Sequence, residues 1–156
     1  MKKQSQSRRE VCDKIRAAFA GVRLEEGIGL SEARGFDDNA DEKTLTEHRK
    51  RDEKHDWAAI SSESLHRYSD VLCFFDSKGM RFHLPAFMTD GLITELNFSV
   101  ISCLTHLSDW SLKKFGDFTP AQRTAVRAYL LLLKDDDNCA FEKPQIEMAL
   151  ADYWTK

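Results

Sequence analysis

The expected fold class depends on one stretch, Val71-Leu72-Cys73-Phe74-Phe75-Asp76-Ser77-Lys78-Gly79-Met80-Arg81-Phe82-His83-Leu84-Pro85. Residues 71–75 form a compact apolar run, and residues 76–79 have the composition of a turn. Residues 80–84 then alternate apolar and polar side chains, which is the period of a half-buried strand. Pro85 would end this strand and suits the first turn of a following helix. The pattern therefore predicts a β-hairpin.

Outside this stretch the sequence is mainly typical of helices. Residues 5–22 carry an apolar stripe at helical spacing, and residues 41–54 place opposite charges about one turn apart, as in a solvated helix. Thr119-Pro120-Ala121-Gln122 is a capping box with proline at the first helical position. With a hairpin at residues 71–84, we predict an α+β, helix-dominated fold with a small antiparallel sheet, as a single domain over residues 1–156. The expected core contains Ile15, Phe19, Trp57, Leu72, Phe74, Phe82, Leu84, Phe87, Leu92, Val126, Leu130 and Leu133.

Composition and charge exclude several classes of protein. The chain has 156 residues, of which 42% are hydrophobic, so it can bury a core and is neither disordered nor a disulfide scaffold. The chain has 23 basic and 26 acidic residues, whereas a protein that binds nucleic acid usually has a strongly basic surface. The charge balance therefore argues against nucleic acid as a partner. The basic start is not followed by the apolar stretch of a signal peptide, and the longest apolar run, residues 128–133, cannot cross a bilayer. We expect a cytoplasmic protein with no membrane partner.

No pattern of metal or cofactor binding is present. The four cysteines, Cys12, Cys73, Cys103 and Cys139, are far apart and fit neither a zinc site nor a disulfide framework. Asp135-Asp136-Asp137-Asn138 lacks the glycine and glutamate of a calcium loop, and no glycine-rich phosphate loop occurs. We therefore expect reduced thiols, no cofactor, no metal and no recognisable catalytic set.

A motif runs through Phe75-Asp76, Gly79 and Arg81-Phe82-His83-Leu84-Pro85-Ala86-Phe87-Met88. It resembles the R-F-[YH]-L-P-A-[FY] motif of a family of small bacterial proteins known only as a domain of unknown function. An amphipathic first helix, Trp57 and the Phe118-Thr119-Pro120-Ala121-Gln122 element fit the order and spacing of that family over residues 8–134. The resemblance implies a small cytoplasmic α+β protein. It implies no activity, because no function is established for the family.

Arg81 and His83 are the first candidate site residues. On a strand they would share one face, opposite Met80, Phe82 and Leu84. Such a polar pair could line a pocket or bind an anionic group. The alternative is that these residues have only a structural role, because a proline commonly follows a strand where one element ends and the next begins.

The charged segment of residues 31–63, with ten acidic and six basic residues, supplies the other candidates. We single out Asp37, Asp41, Glu42, His55 and Asp56 as residues that contact a ligand or partner. A mixed acidic surface of this kind suits an electrostatically steered protein partner.

Two functions remain open at this point. The first is a non-catalytic protein-binding module of the adaptor or toxin-neutralising type. The alternative is a small enzyme with a polar cleft formed by Arg81, His83 and the carboxylates of residues 37–56. The second function requires these groups to meet in space, which the sequence does not establish. The oligomeric state is also left open.

Overall fold

The computed structural model describes residues 2–156, and this part of the chain contains helices but no strand. The predicted α+β class and antiparallel sheet are therefore wrong. The helices are α1 (Lys2–Ala18), α2 (Leu30–Asp37), α3 (Glu42–Arg51), α4 (Ser62–Arg67), α5 (Ser77–Ile93), α6 (Phe98–Thr105), α7 (Asp109–Leu112), α8 (Pro120–Lys134) and α9 (Lys143–Ala149). Four single turns of 3-10 helix and one π-helical turn complete them: Trp57–Ala59, Leu72–Phe74, Lys113–Phe115, Asp137–Cys139 and Leu150–Trp154.

The predicted hairpin is replaced by a 3-10 turn and the first half of α5. Asp76 is the N-cap of α5, and its carboxylate accepts a hydrogen bond from the Gly79 N–H at 2.8 Å. The residues that resemble a β-turn therefore form a helix start instead. Pro85 lies inside α5 rather than at its beginning, where its ring removes one backbone hydrogen bond.

The apolar alternation of residues 80–84 misleads because α5 is buried almost all round. This helix packs against α1, α4 and α6, and also against two of the 3-10 turns. Its core positions include Met80, Phe82, His83 and Leu84, so no amphipathic stripe distinguishes one face from another. A helix enclosed on every side loses the period that identifies a surface helix.

The predicted capping box at the start of α8 is confirmed. Thr119 accepts a hydrogen bond from the Gln122 N–H at 3.1 Å, the Gln122 side-chain oxygen accepts one from the Thr119 N–H at 3.0 Å, and α8 ends at Lys134. Helix α3 lies within the predicted charged helix and buries no residue.

The predicted core residues are all buried except Phe74, which is half-buried against the core.

The loop before α2 crosses the beginning of α5 at close range. A Cβ atom on Gly27 would lie 2.8 Å from the Gly79 backbone nitrogen, so both backbones require the absence of a side chain there. The Asp76 carboxylate also accepts a hydrogen bond from the Ile28 N–H at 3.0 Å. This crossing ties the α2–α3 pair to the central helix and brings α2 next to the turn Leu72–Phe74.

Candidate functional site

The structure separates the two residues of the central motif. Residues two positions apart share a face of a strand, but they lie on nearly opposite sides of a helix. Arg81 is half-exposed, and its guanidinium donates a hydrogen bond to the Asp117 carbonyl at 3.3 Å. His83 has no exposed surface. The expected shared face of Arg81 and His83 is therefore wrong.

His83 is a neutral imidazole enclosed by the core. Its ring stacks on Phe75 with centroids 4.3 Å apart, and its Nδ1–H donates to the Gly79 carbonyl at 2.7 Å. Its Nε2 atom has no hydrogen-bond partner among residues 2–156. Burial lowers the pKa of His83 to about 4, so the ring is uncharged at neutral pH. An external ligand would reach this ring only if the core opened.

The acidic candidates are all exposed, and several hold local structure. Asp41 accepts a hydrogen bond from the Thr44 N–H at 2.8 Å as the N-cap of α3. Hydrogen bonding with Thr44, first through its side chain and then through its backbone N–H, lowers the pKa of Asp41. Asp56 caps the turn Trp57–Ala59, and Asp37 pairs with Arg34 at 3.1 Å. Within residues 2–156 no hydrogen bond or ion pair joins Asp37, Asp41, Glu42, His55 or Asp56 to Arg81 or His83.

An aromatic groove lies elsewhere, at the junction of α2, the turn Leu72–Phe74 and α7. Its cavity has a volume of about 720 Å³ and is lined by Phe36, Phe74 and Trp110, one from each of these elements. Phe36 is 41% exposed and Trp110 is 62% exposed. Ordinary folding buries such side chains, so three aromatic rings around one open groove form an unusual surface.

A second cavity of about 560 Å³ lies beside the aromatic groove, against α6 and α7. The two cavities share Cys73, Trp110 and Lys114, which form the partition between them. Phe98 rims the second cavity and is 47% exposed.

Lys114 carries the one charge in this partition. The residue is only 7% exposed. Its Nζ atom donates a hydrogen bond to the Cys73 carbonyl at 2.5 Å and lies 3.8 Å from the centre of the Trp110 ring. Burial lowers the pKa of Lys114, since partial desolvation disfavours the charged ammonium form.

The four cysteines differ in their burial. All four are free thiols, and Cys73 is the exposed one. Burial raises the pKa of Cys103, at the wall of the second cavity, to about 11. Among residues 2–156 no group of three or more His, Cys, Asp or Glu side chains is placed to hold a metal ion.

Sequence reasoning missed the groove, because Phe36, Trp110 and Lys114 were not candidates. One usable signal was Trp110 itself, a large aromatic residue within the polar segment Ser108-Asp109-Trp110-Ser111. Its meeting with Phe36 and Phe74 has no sequence signal, since these residues are distant in the chain.

No helix in the part of the chain that the structure describes is long and apolar enough to span a membrane.

Comparison with known proteins adds a family but no activity. No curated protein and no solved structure matches the chain. A family model described as a family of unknown function, DUF6714, matches residues 7–156, which extends past the resemblance at residues 8–134 to include the final helix. The chain therefore belongs to this family of unknown function, DUF6714.

Proposed function

We propose that this protein is a non-catalytic protein-binding module whose contact surface is the aromatic groove. The observation that carries the proposal is the convergence of Phe36, Phe74 and Trp110, from three separate elements, on one open cavity. The expected occupant is a partner protein that inserts an apolar side chain between these rings. Adaptors and toxin-neutralising proteins share this step of stoichiometric binding.

The composition of the surface supports a protein as the occupant. Aromatic side chains supply much of the binding energy at protein interfaces, and tryptophan is especially frequent among the residues that dominate it. The groove has this apolar centre, and Lys113 and Asp76 provide charges at its edge. A centre of aromatic residues within a charged rim is the usual arrangement of such interfaces.

We propose that the acidic surface predicted from the sequence acts together with the groove. Asp37 and the neighbouring Asp38 follow Phe36 directly at the end of α2, and both are exposed. Asp41 and Glu42 begin the next helix, which packs against α2. We propose that these carboxylates steer a partner with a complementary basic surface toward the groove. His55 and Asp56 stay part of this proposal as outer contacts.

A reducing cytoplasm is the setting that we propose for this activity. Its support is chemical: the four cysteines are free thiols, and Cys73 lies exposed at the groove. Exposed thiols persist in reducing compartments.

The test is affinity capture from a lysate of the source organism, with three tagged proteins compared by quantitative mass spectrometry. These are the wild type, the double variant Phe36→Ser/Trp110→Ser, and the control Phe141→Ser. Phe141 is 93% exposed and lines neither cavity, so its variant removes an even more exposed aromatic ring elsewhere. We expect one stoichiometric partner with the wild type and the control, and its loss with the double variant. A partner retained by all three proteins, or none with the wild type, would contradict the proposal.

A further inference from the structure

Lys114 is a buried residue that forms no ion pair within the described residues 2–156. No carboxylate lies within 4.0 Å of its Nζ atom in residues 2–156. It makes one hydrogen bond, to the Cys73 carbonyl, although an ammonium group carries three N–H donors.

Such an arrangement is unusual in a folded protein. Buried charges are ordinarily paired, because removal from water destabilises an isolated ion by several kcal/mol. The Trp110 ring and the Cys73 carbonyl present only partial negative charge to Lys114. A buried lysine that forms no ion pair and lies beside a cavity is therefore a candidate for contact with a ligand.

The cavity beside Lys114 has the size and lining of a small-molecule site. Its volume of about 560 Å³ falls within the range of such pockets. Leu72, Phe98 and Trp110 give it an apolar wall, and Ser102 lies among its polar lining.

The remaining charged groups of the lining leave Lys114 as the sole strong anion contact. Asp70 pairs with Arg34 at 2.5 Å outside the cavity. The Nδ1 atom of His106 lies within hydrogen-bond distance of the Ser102 hydroxyl, 3.1 Å away. One fixed cation favours a singly charged ligand, whereas a phosphate group is usually held by several donors and cations.

We infer that this cavity binds a small organic carboxylate, with its carboxylate on the Lys114 ammonium and its apolar body between Trp110 and Phe98. The site is distinct from the proposed protein-binding function, because it needs no partner protein and Phe36 does not line its cavity.

The test compares phenylacetate with phenylacetamide, which have nearly the same shape and differ in charge. Binding to the wild-type protein is followed by two-dimensional amide NMR. We expect phenylacetate to shift the Trp110 indole N–H and the backbone amides of Cys73 and Lys114. We also expect it to bind at least about tenfold more tightly than the amide, the effect of one hydrogen bond to a charged group. Equal affinities, shifts located elsewhere, or no binding of phenylacetate would overturn the inference.

Variants then assign the charge preference to one lysine. We expect Lys114→Met to abolish the preference for the acid and Lys114→Arg to keep it. Lys113→Met is the matched control, since Lys113 lines the aromatic groove but not this cavity. If Lys114→Met does not fold, the inference is still tested by Lys114→Arg and by the comparison of phenylacetate with phenylacetamide on the wild-type protein. A preference that survives in folded Lys114→Met would exclude this site.

Failure of this inference is distinguishable from failure of the protein-binding proposal. Phe36→Ser should weaken capture of a partner and leave phenylacetate binding unchanged, because Phe36 lines only the aromatic groove.

Discussion

The Asp52 carboxylate holds Ser31 by two hydrogen bonds, from the backbone N–H at 2.9 Å and from the hydroxyl at 2.6 Å. Its second oxygen accepts a third bond, from the Glu32 N–H at 3.1 Å. Gly29, the N-cap of α2, leaves space for this carboxylate, because a Cβ there would lie 2.3 Å from its oxygen. The residue after α3 thereby caps α2 and holds the two helices together.

We expect Asp52→Ala to destabilise the protein by about 2 kcal/mol, since it leaves donors at the start of α2 without partners. Urea unfolding measures this change. The control is Asp38→Ala, at an exposed position whose side chain makes no hydrogen bond, and its effect should stay within about 0.5 kcal/mol. Equal losses in the two variants would show that Asp52 is not a structural cap.

Gly79→Ala should destabilise the protein by about 1–3 kcal/mol, because the new methyl group collides with neighbouring backbone. The added Cβ would lie 2.8 Å from the Ile28 carbonyl oxygen. Gly116→Ala provides the control, because its Cβ would meet its nearest neighbour at 3.5 Å and its backbone is already helical. We expect this control to be neutral or slightly stabilising. Thermal or urea unfolding of both variants is the measurement, and similar stabilities would refute the close crossing.

His83 should make the protein less stable as the pH falls from about 6.5 to about 4. In this window the unfolded chain takes up a proton on His83 and the folded protein does not, because burial lowers the folded pKa to about 4. The free energy of unfolding should fall by about 3 kcal/mol across the window through this residue.

The measurement is urea unfolding at a series of pH values for wild type and His83→Asn. Asparagine can still donate a hydrogen bond to the Gly79 carbonyl but does not titrate. We expect His83→Asn to be less stable at neutral pH, owing to the lost stacking on Phe75, and to lose less stability on acidification. His106→Asn, at an exposed position, should retain the wild-type slope. Parallel curves for wild type and His83→Asn would count against the burial of a neutral ring.

Cys73 should react with a thiol reagent much faster than the other cysteines. It is exposed, whereas burial raises the pKa of both Cys103 and Cys139 to about 11 and also raises that of Cys12. Titration with Ellman's reagent should show one fast thiol in the folded protein and four in denaturant. Cys73→Ser should remove the fast phase. A fast phase that survives this substitution would place the reactive thiol elsewhere.

Helix starts and apolar stripes show which features are decided by local sequence signals. Ser61 and Thr119 each accept a hydrogen bond from an N–H three residues ahead, and both caps are recognisable without any tertiary contact. The apolar stripes of α1 and α8 likewise identify the buried sides that pack together. These signals lie within one or two helical turns, so their chemistry is complete in the sequence.

The central helix and the candidate site are decided by contacts that the sequence does not contain. The alternation from Met80 to Leu84 fits a strand or an enclosed helix equally, and α5 is helical because neighbouring elements bury it on nearly every side. The groove needs Phe36, Phe74 and Trp110 to meet, and the unpaired charge of Lys114 exists only because packing removes it from water. Local patterns in the sequence predict caps such as Thr119 and most of the core, because hydrogen bonds within a turn and the burial of apolar residues are encoded locally. The absence of strands from residues 2–156 and the shape of the groove follow from tertiary packing, since burial and cavity shape depend on residues far apart in the chain.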